Sequence, residues 1–260
     1  MLRALNTAAT GMAAQQLHID VVANNVANVN TNGFRRSRAE FQDLLYQTMR
    51  QPGGQTAAGG TLPTGLQIGQ GTRTVATTTI FEQGTMAQSG NPLDLAIEGK
   101  GFLQVQRPDG TLAYTRAGNL KADAEGRLVT VDGLPVEPSI QIPVDATSIT
   151  VAPDGVVSVT QPGSAQTTEV GQLQLATFAN PAGLLQAGRS LFLETAASGN
   201  PIVAAPGEEG TGTLAQGFIE GSNVEVVTEM IDLIASQRAY EINQRVISAA
   251  DEMLRKATER

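Results

Sequence analysis

The sequence predicts an α+β protein in which long N- and C-terminal helices form a coiled-coil-like core and a central antiparallel β domain occupies the chain between them. Three observations carry this. Apolar residues recur at three-and-four spacing at both ends, short β-branched runs alternate with acidic-glycine dipeptides in the middle, and 28 glycines accompany only 4% aromatic residues.

Within residues 1–30, Leu2, Leu5, Ala9, Met12, Ile19, Ala23 and Val26 form one narrow seam, with Gln16 as its polar intruder. Such a helix would be about 45 Å long, too thin in apolar surface to persist without a partner. Asn32-Gly33 is the predicted stop: Gly33 takes the left-handed conformation after the C-cap, and Phe34 folds back onto Val29. Residues 51–72 are rich in Gly, Thr, Gln and Pro, too long for an ordinary connection, and read as a linker or contact arm whose apolar anchors are Leu62, Leu66 and Ile68. Beyond it, runs such as Phe102-Leu103-Gln104-Val105, Ser148-Ile149-Thr150-Val151 and Val156-Val157-Ser158-Val159 are separated by Asp109-Gly110, Glu125-Gly126, Asp132-Gly133 and Asp154-Gly155. Glycine accepts the positive φ of a tight turn, so these dipeptides signal hairpins.

At the other end, Ser222-Asn223-Val224-Glu225 predicts a capping box in which the Ser222 hydroxyl accepts from the Glu225 amide and the Glu225 carboxylate reaches back. From there Ala235, Ala239, Ile242, Val246, Ala249 and Met253 keep helical spacing, while Val226, Leu233, Tyr240, Ile247 and Leu254 recur every seven residues beside them. A stripe this broad can hold the N-terminal helix on one side and another chain on the other. The expected division is a helical segment 1–45, an arm 46–80, a β domain 81–214 and a helical segment 215–260.

Charge and composition remove several function classes. A net charge of -8 disfavours nucleic acid and anionic lipid, which are bound by clustered Lys and Arg; the cluster Arg35, Arg36, Arg38 is too small to reverse it. Without cysteine there are no disulfides, thiolate metal sites or Cys nucleophiles. No apolar run is long enough to span a membrane. Asn6, Thr7, Thr10, Gly11, Gln15 and Gln16 interrupt any signal-peptide core near Arg3, so the N-terminus reads as mature helix. Export would then need a route without a cleaved signal.

Nothing reads as catalytic, and no cofactor is expected. The single His18 lies inside a helix pattern. Gly99-Lys100-Gly101-Phe102 lacks the first glycine and the Ser or Thr of a phosphate loop. Asp123, Glu125 and Gly126 lack the further carboxylates of a calcium loop.

Two terminal amphipathic helices place the stickiest surface where a chain folds least autonomously, which suits folding on assembly with identical neighbours. Here the residues carry a resemblance. Ala23 to Arg35, Ala-Asn-Asn-Val-Ala-Asn-Val-Asn-Thr-Asn-Gly-Phe-Arg, resembles the N-terminal signature of the flagellar rod and hook family of axial proteins. Its asparagines, among them Asn24, Asn25, Asn28 and Asn30, are poor helix formers, so an amide-mediated packing role fits them better than propensity does. Ser222-Asn223-Val224 with Met230, Ile234 and Gln237-Arg238-Ala239-Tyr240-Glu241 is similar to the C-terminal signature. Gly90 to Ile97, Gly99 to Phe102 and Tyr114 to Asn119 resemble the central motifs.

Within the family, the stretch from Leu44 to Gly53 and on to Leu62–Gly69 is similar to the distal-rod branch. Membership implies subunits that leave uncleaved through the flagellar type III export apparatus and stack helically into a hollow drive shaft spanning the periplasm. The partners implied are further copies, proximal rod proteins, the hook protein, and the rings of the peptidoglycan layer and outer membrane. The subunit contacts would run through Leu5, Met12, Ile19, Asn24, Asn25, Val26, Asn28 and Asn30 of the first helix, and through Val226, Leu233, Tyr240, Ile242, Val246, Ile247, Met253 and Leu254 of the last. The rival readings are a proximal rod or hook protein, which lacks the arm in this form, and a secreted cell-wall-acting β-domain enzyme or binding protein.

Overall fold

A computed structural model describes residues 2–53, 63–162 and 167–258. The chain is α+β, with an N-terminal helix, a C-terminal helix and a central β region. It divides into two compact units: residues 1–26, 37–78 and 225–260 form one, and residues 27–36 and 79–224 the other.

The first unit contains α1 (Leu2–Ala27), α2 (Val226–Thr258) and four strands, β1 (Ser37–Asp43), β2 (Tyr46–Arg50), β3 (Leu66–Gly69) and β4 (Thr72–Thr79). Helix α1 stops at Ala27, short of the predicted Asn32-Gly33. The reason lies in Asn28 and Thr31: the Thr31 amide donates to the Asn28 carbonyl at 3.1 Å and its hydroxyl to the Asn28 side chain at 3.2 Å, a local alternative to helical bonding. Helix α2 likewise departs from the predicted capping box. The Ser222 hydroxyl accepts from the Val224 amide, and Glu225 stands at the cap, its carbonyl taking the Glu229 amide and its carboxylate the Thr228 hydroxyl.

Strands β1 and β4 pair with each other, as do β2 and β3 in antiparallel register, so the predicted arm is a two-stranded ribbon at both of its ends. Sequence reading missed β2 and β3 because their side chains are exposed along both faces, leaving no alternation of apolar and polar residues to detect. The arm anchor Leu62 lies outside the described residues.

The second unit holds the core. Its largest sheet places Phe102–Gln106 between Leu112–Thr115 and Leu175–Thr177, all antiparallel, with Leu191–Leu193 and Ile202–Ala204 further out. Alternation sorts the side chains: Leu103, Val105, Ala113, Leu175 and Leu191 enter one apolar cluster, and Phe102, Tyr114, Ala176 and Phe192 enter another. Both faces are therefore buried, which explains the near-continuous apolar runs. The acidic-glycine dipeptides form turns of one pattern. At Arg107, Asp123, Thr130 and Ala152 the amide donates to the carbonyl four residues on and the carbonyl accepts from a glycine three residues on, the glycines having φ of 78 to 86°. This is the hairpin loop whose last residue must be left-handed.

Candidate functional site

Helices α1 and α2 touch through small and polar side chains in a seven-residue register. A Cβ at Gly11 would lie 3.0 Å from the Asn243 amide, His18 Nδ1 lies 2.9 Å from the Ser236 hydroxyl, and the Asn25 amide donates to the Glu229 carboxylate at 3.1 Å. The pairs run in opposite directions along the two helices, so these are antiparallel. Seven-residue spacing is what keeps one seam of a helix facing its neighbour.

Asn25 uses its whole side chain. It donates to the Ser37 carbonyl at 2.8 Å and accepts from the Ser37 amide at 2.9 Å as well as holding Glu229, so it ties α1, β1 and α2 together. Both Asn25 and Glu229 are buried. In the second unit Asn223 acts in a similar way, accepting from the Arg36 amide at 2.7 Å and donating to the carbonyls of Ile80 and Glu82.

The apolar residues sit beside this seam. On α1, Leu5, Met12, Ile19 and Val26 are half-buried and Asn24 is exposed; past its end, Asn28 is half-buried and Asn30 exposed. On α2, Leu233, Tyr240, Ile247 and Leu254 are half-buried, whereas Ile242 is 60% exposed, and Val226, Val246 and Met253 are exposed as well. The broad stripe is thus divided. One edge lies toward the seam and the other faces outward.

Val227, Ile231 and Ile234 extend the outward edge toward the start of α2, giving an exposed apolar ridge from Val227 through Ile242 and Val246 to Met253. Sequence reading placed Ile234 only in a signature and passed over Val227 and Ile231, although their spacing was visible. In the ribbon, Leu66 and Ile68 are exposed too. The apolar side chains that the first unit buries are mainly small: Ala8, Ala14, Ala39 and Ala250, with Val22 the larger exception among the described residues.

The signature motifs of the second unit converge on Glu220, which sequence reading missed. Its carboxylate accepts from Arg35 at 2.6 Å, from Arg116 Nε at 2.9 Å and from the Gly84 amide at 2.9 Å. Arg116 spends its remaining donors on the carbonyls of Ile97, Gly99 and Gly101. Burial pulls its guanidinium down to about 10, Glu220 opposing that shift and Arg35 adding to it, so Arg116 stays charged at neutral pH. Gly33, at φ +67, donates its amide to the Glu220 carbonyl; it anchors the segment after α1 to the second unit and does not cap the helix. Phe34 is half-buried beside it.

Three family models match the chain: the flagella basal body rod protein model over residues 5–35, the flagellar hook protein FlgE/F/G D1 domain over 96–159, and the flagellar basal body rod FlgEFG protein C-terminal domain over 215–260. The flagellar basal-body rod protein FlgG of Caulobacter vibrioides is 53% identical, the alignment covering 97% of each chain. The chain belongs to the FlgG family of flagellar basal-body rod proteins. The FlgG of Bacillus subtilis is 41% identical over 98% of this chain and 97% of its own, and identity falls to 33% with the FlgF of Escherichia coli, over 94% and 92%. FlgG-family proteins are structural rod proteins, so the chain is not an enzyme, and its place is the flagellar basal body among other rod and hook components. Among the described residues no helix is long and apolar enough to cross a membrane.

Proposed function

We propose that copies of this chain stack helically through α1 and α2 into a hollow tube, the outward ridge of α2 being covered by the helices of neighbouring copies. The chain is a structural subunit of the flagellar distal rod. In that role the tube carries torque across the periplasm to the hook, and stiffness takes the place of chemistry. The observation that supports the stacking is the exposed ridge Val227, Ile231, Ile234, Ile242, Val246 and Met253 on a unit with little large apolar core of its own. Full burial of such a side chain is worth about 1.5–3 kcal/mol, and these are roughly half exposed, so covering each contributes on the order of 1 kcal/mol before ordering entropy is subtracted.

The terminal helices form the coiled-coil-like core of this assembly, and the ribbon around β2 and β3 locks adjacent copies against sliding. Subunits travel uncleaved through the flagellar type III export apparatus. The assembled segment meets the proximal rod on one side and the hook on the other, inside the peptidoglycan-layer and outer-membrane rings. Deleting the chain from its host tests this. Motility should be lost, and isolated basal bodies should end at the proximal rod without hooks. Complete hooks on the deletion strain would contradict the proposal.

A further inference from the structure

The cluster around Glu220 is over-supplied with positive charge. Two buried guanidiniums, Arg35 and Arg116, share one buried carboxylate. Arg116 finds carbonyl acceptors for its other donors, but Arg35, with a side chain only 1% exposed, leaves Nε and Nη1 without any hydrogen-bond partner. A buried guanidinium with idle donors beside an uncompensated charge is costly, and a bound water or anion is one way such a group is completed.

The same two arginines line a cavity of about 190 Å³, with the exposed Lys100 at its edge. The cavity also contacts the rings of Phe81, Phe102 and Phe178, which stack edge-to-face, Phe102 with each of the other two. Its lining therefore joins fixed cations to an apolar surface. Inorganic phosphate would match only the first, whereas a carboxylate carried on a short apolar body matches both: the carboxylate accepts a charge-assisted hydrogen bond from an idle donor of Arg35, and the body rests on the phenylalanines.

We propose that this cavity is a binding site for a small monocarboxylate with an apolar body, held by Arg35 and Lys100, with the charge of Arg116 beside them. Nothing in the rod-subunit role requires it, so the site stands or falls independently of assembly.

The test is a titration of the dilute full-length chain with sodium benzoate, following the arginine Nε–H signals by nuclear magnetic resonance at constant ionic strength. Benzamide serves as the neutral control of the same shape. A saturable shift of the Arg35 Nε–H signal with benzoate, absent with benzamide, is expected. Lys100→Glu, a change at an exposed position, should weaken binding about tenfold, and Arg35→Met should abolish it. A shift that fails to saturate, an equal response to benzamide, or undiminished affinity in Lys100→Glu would overturn the proposal. Should Arg35→Met fail to fold, the benzamide control and Lys100→Glu decide it alone.

Discussion

A Cβ added to Gly33 would lie 2.5 Å from the Ala117 amide nitrogen and 2.7 Å from the Arg116 carbonyl carbon, backbone atoms that cannot step aside. The positive φ alone costs a side chain about 1–2 kcal/mol, so Gly33→Ala should destabilise the second unit by more than roughly 2 kcal/mol, measured by urea denaturation. A loss below about 1 kcal/mol would show that the two backbones separate easily. Tyr114 offers a pH signature. Burial pushes its phenol up to about 12 from 10.0, with the charge of Glu194 adding to the shift. The unfolded chain therefore ionises first: the contribution of Tyr114 is intact below pH 10 and is lost as pH rises from 10 to 12. Arg116, shifted down, acts with opposite sign in the same range, so the difference between the wild type and Tyr114→Phe isolates the phenol. Tyr114→Phe should lose less stability than the wild type between pH 8 and 11.5; parallel losses would refute the assignment. Sequence alone marked Gly33 by its dipeptide and the left-handed turn it favours. It gave no sign of Glu220, because a carboxylate at the end of a strand looks the same whether it meets solvent or two guanidiniums brought in from far along the chain.

The two terminal helices carry a polar seam where periodicity suggested an apolar one. The residues that met across it, Gly11 with Asn243, His18 with Ser236 and Asn25 with Glu229, are not ones a hydrophobic pattern can select. Leu5, Met12 and Ile19 were read as the seam, yet they lie beside it, one helical position away. Asn25→Leu would leave the buried Glu229 carboxylate without that partner and should lower the thermal stability of helix signal in circular dichroism, by roughly 1–3 kcal/mol. The double change Asn25→Leu with Glu229→Leu should recover much of that loss, because no buried carboxylate remains; an additive further loss would mean the amide matters only through Ser37. Four hairpins of the second unit were legible because one acidic-glycine code closes them, whereas β2 and β3 carry no such code and no buried face. For the ribbon, deletion of residues 47–69 should leave the melting of the second unit nearly unchanged, since those residues belong to the other unit and are almost all exposed where described. Polymers of the deleted chain should be more curved or assemble poorly. A large loss of stability with straight polymers would place the ribbon within the fold.

At the scale of the whole molecule, the second unit encloses two apolar clusters rich in large side chains, while the first buries alanines and exposes isoleucines. That asymmetry is what a subunit completed by its neighbours requires. The overall α+β plan was readable from periodicity and turn chemistry, and the family from motifs spread along the chain. Which edge of the α2 stripe faces α1 was not readable, because that depends on the packing of two helices joined by about two hundred residues, and a shift of one position turns a different edge, about 100° round the helix, toward the partner. Whether the outward ridge joins copies is decided by electron microscopy of the purified chain at high concentration, wild type beside Ile231→Asp with Ile242→Asp. Both positions are exposed, so the double variant should fold as a monomer. The wild type should give hollow tubes or short helical polymers and the variant none; a wild type that stays monomeric, or a variant that polymerises as well as the wild type, would show that the ridge does not join copies.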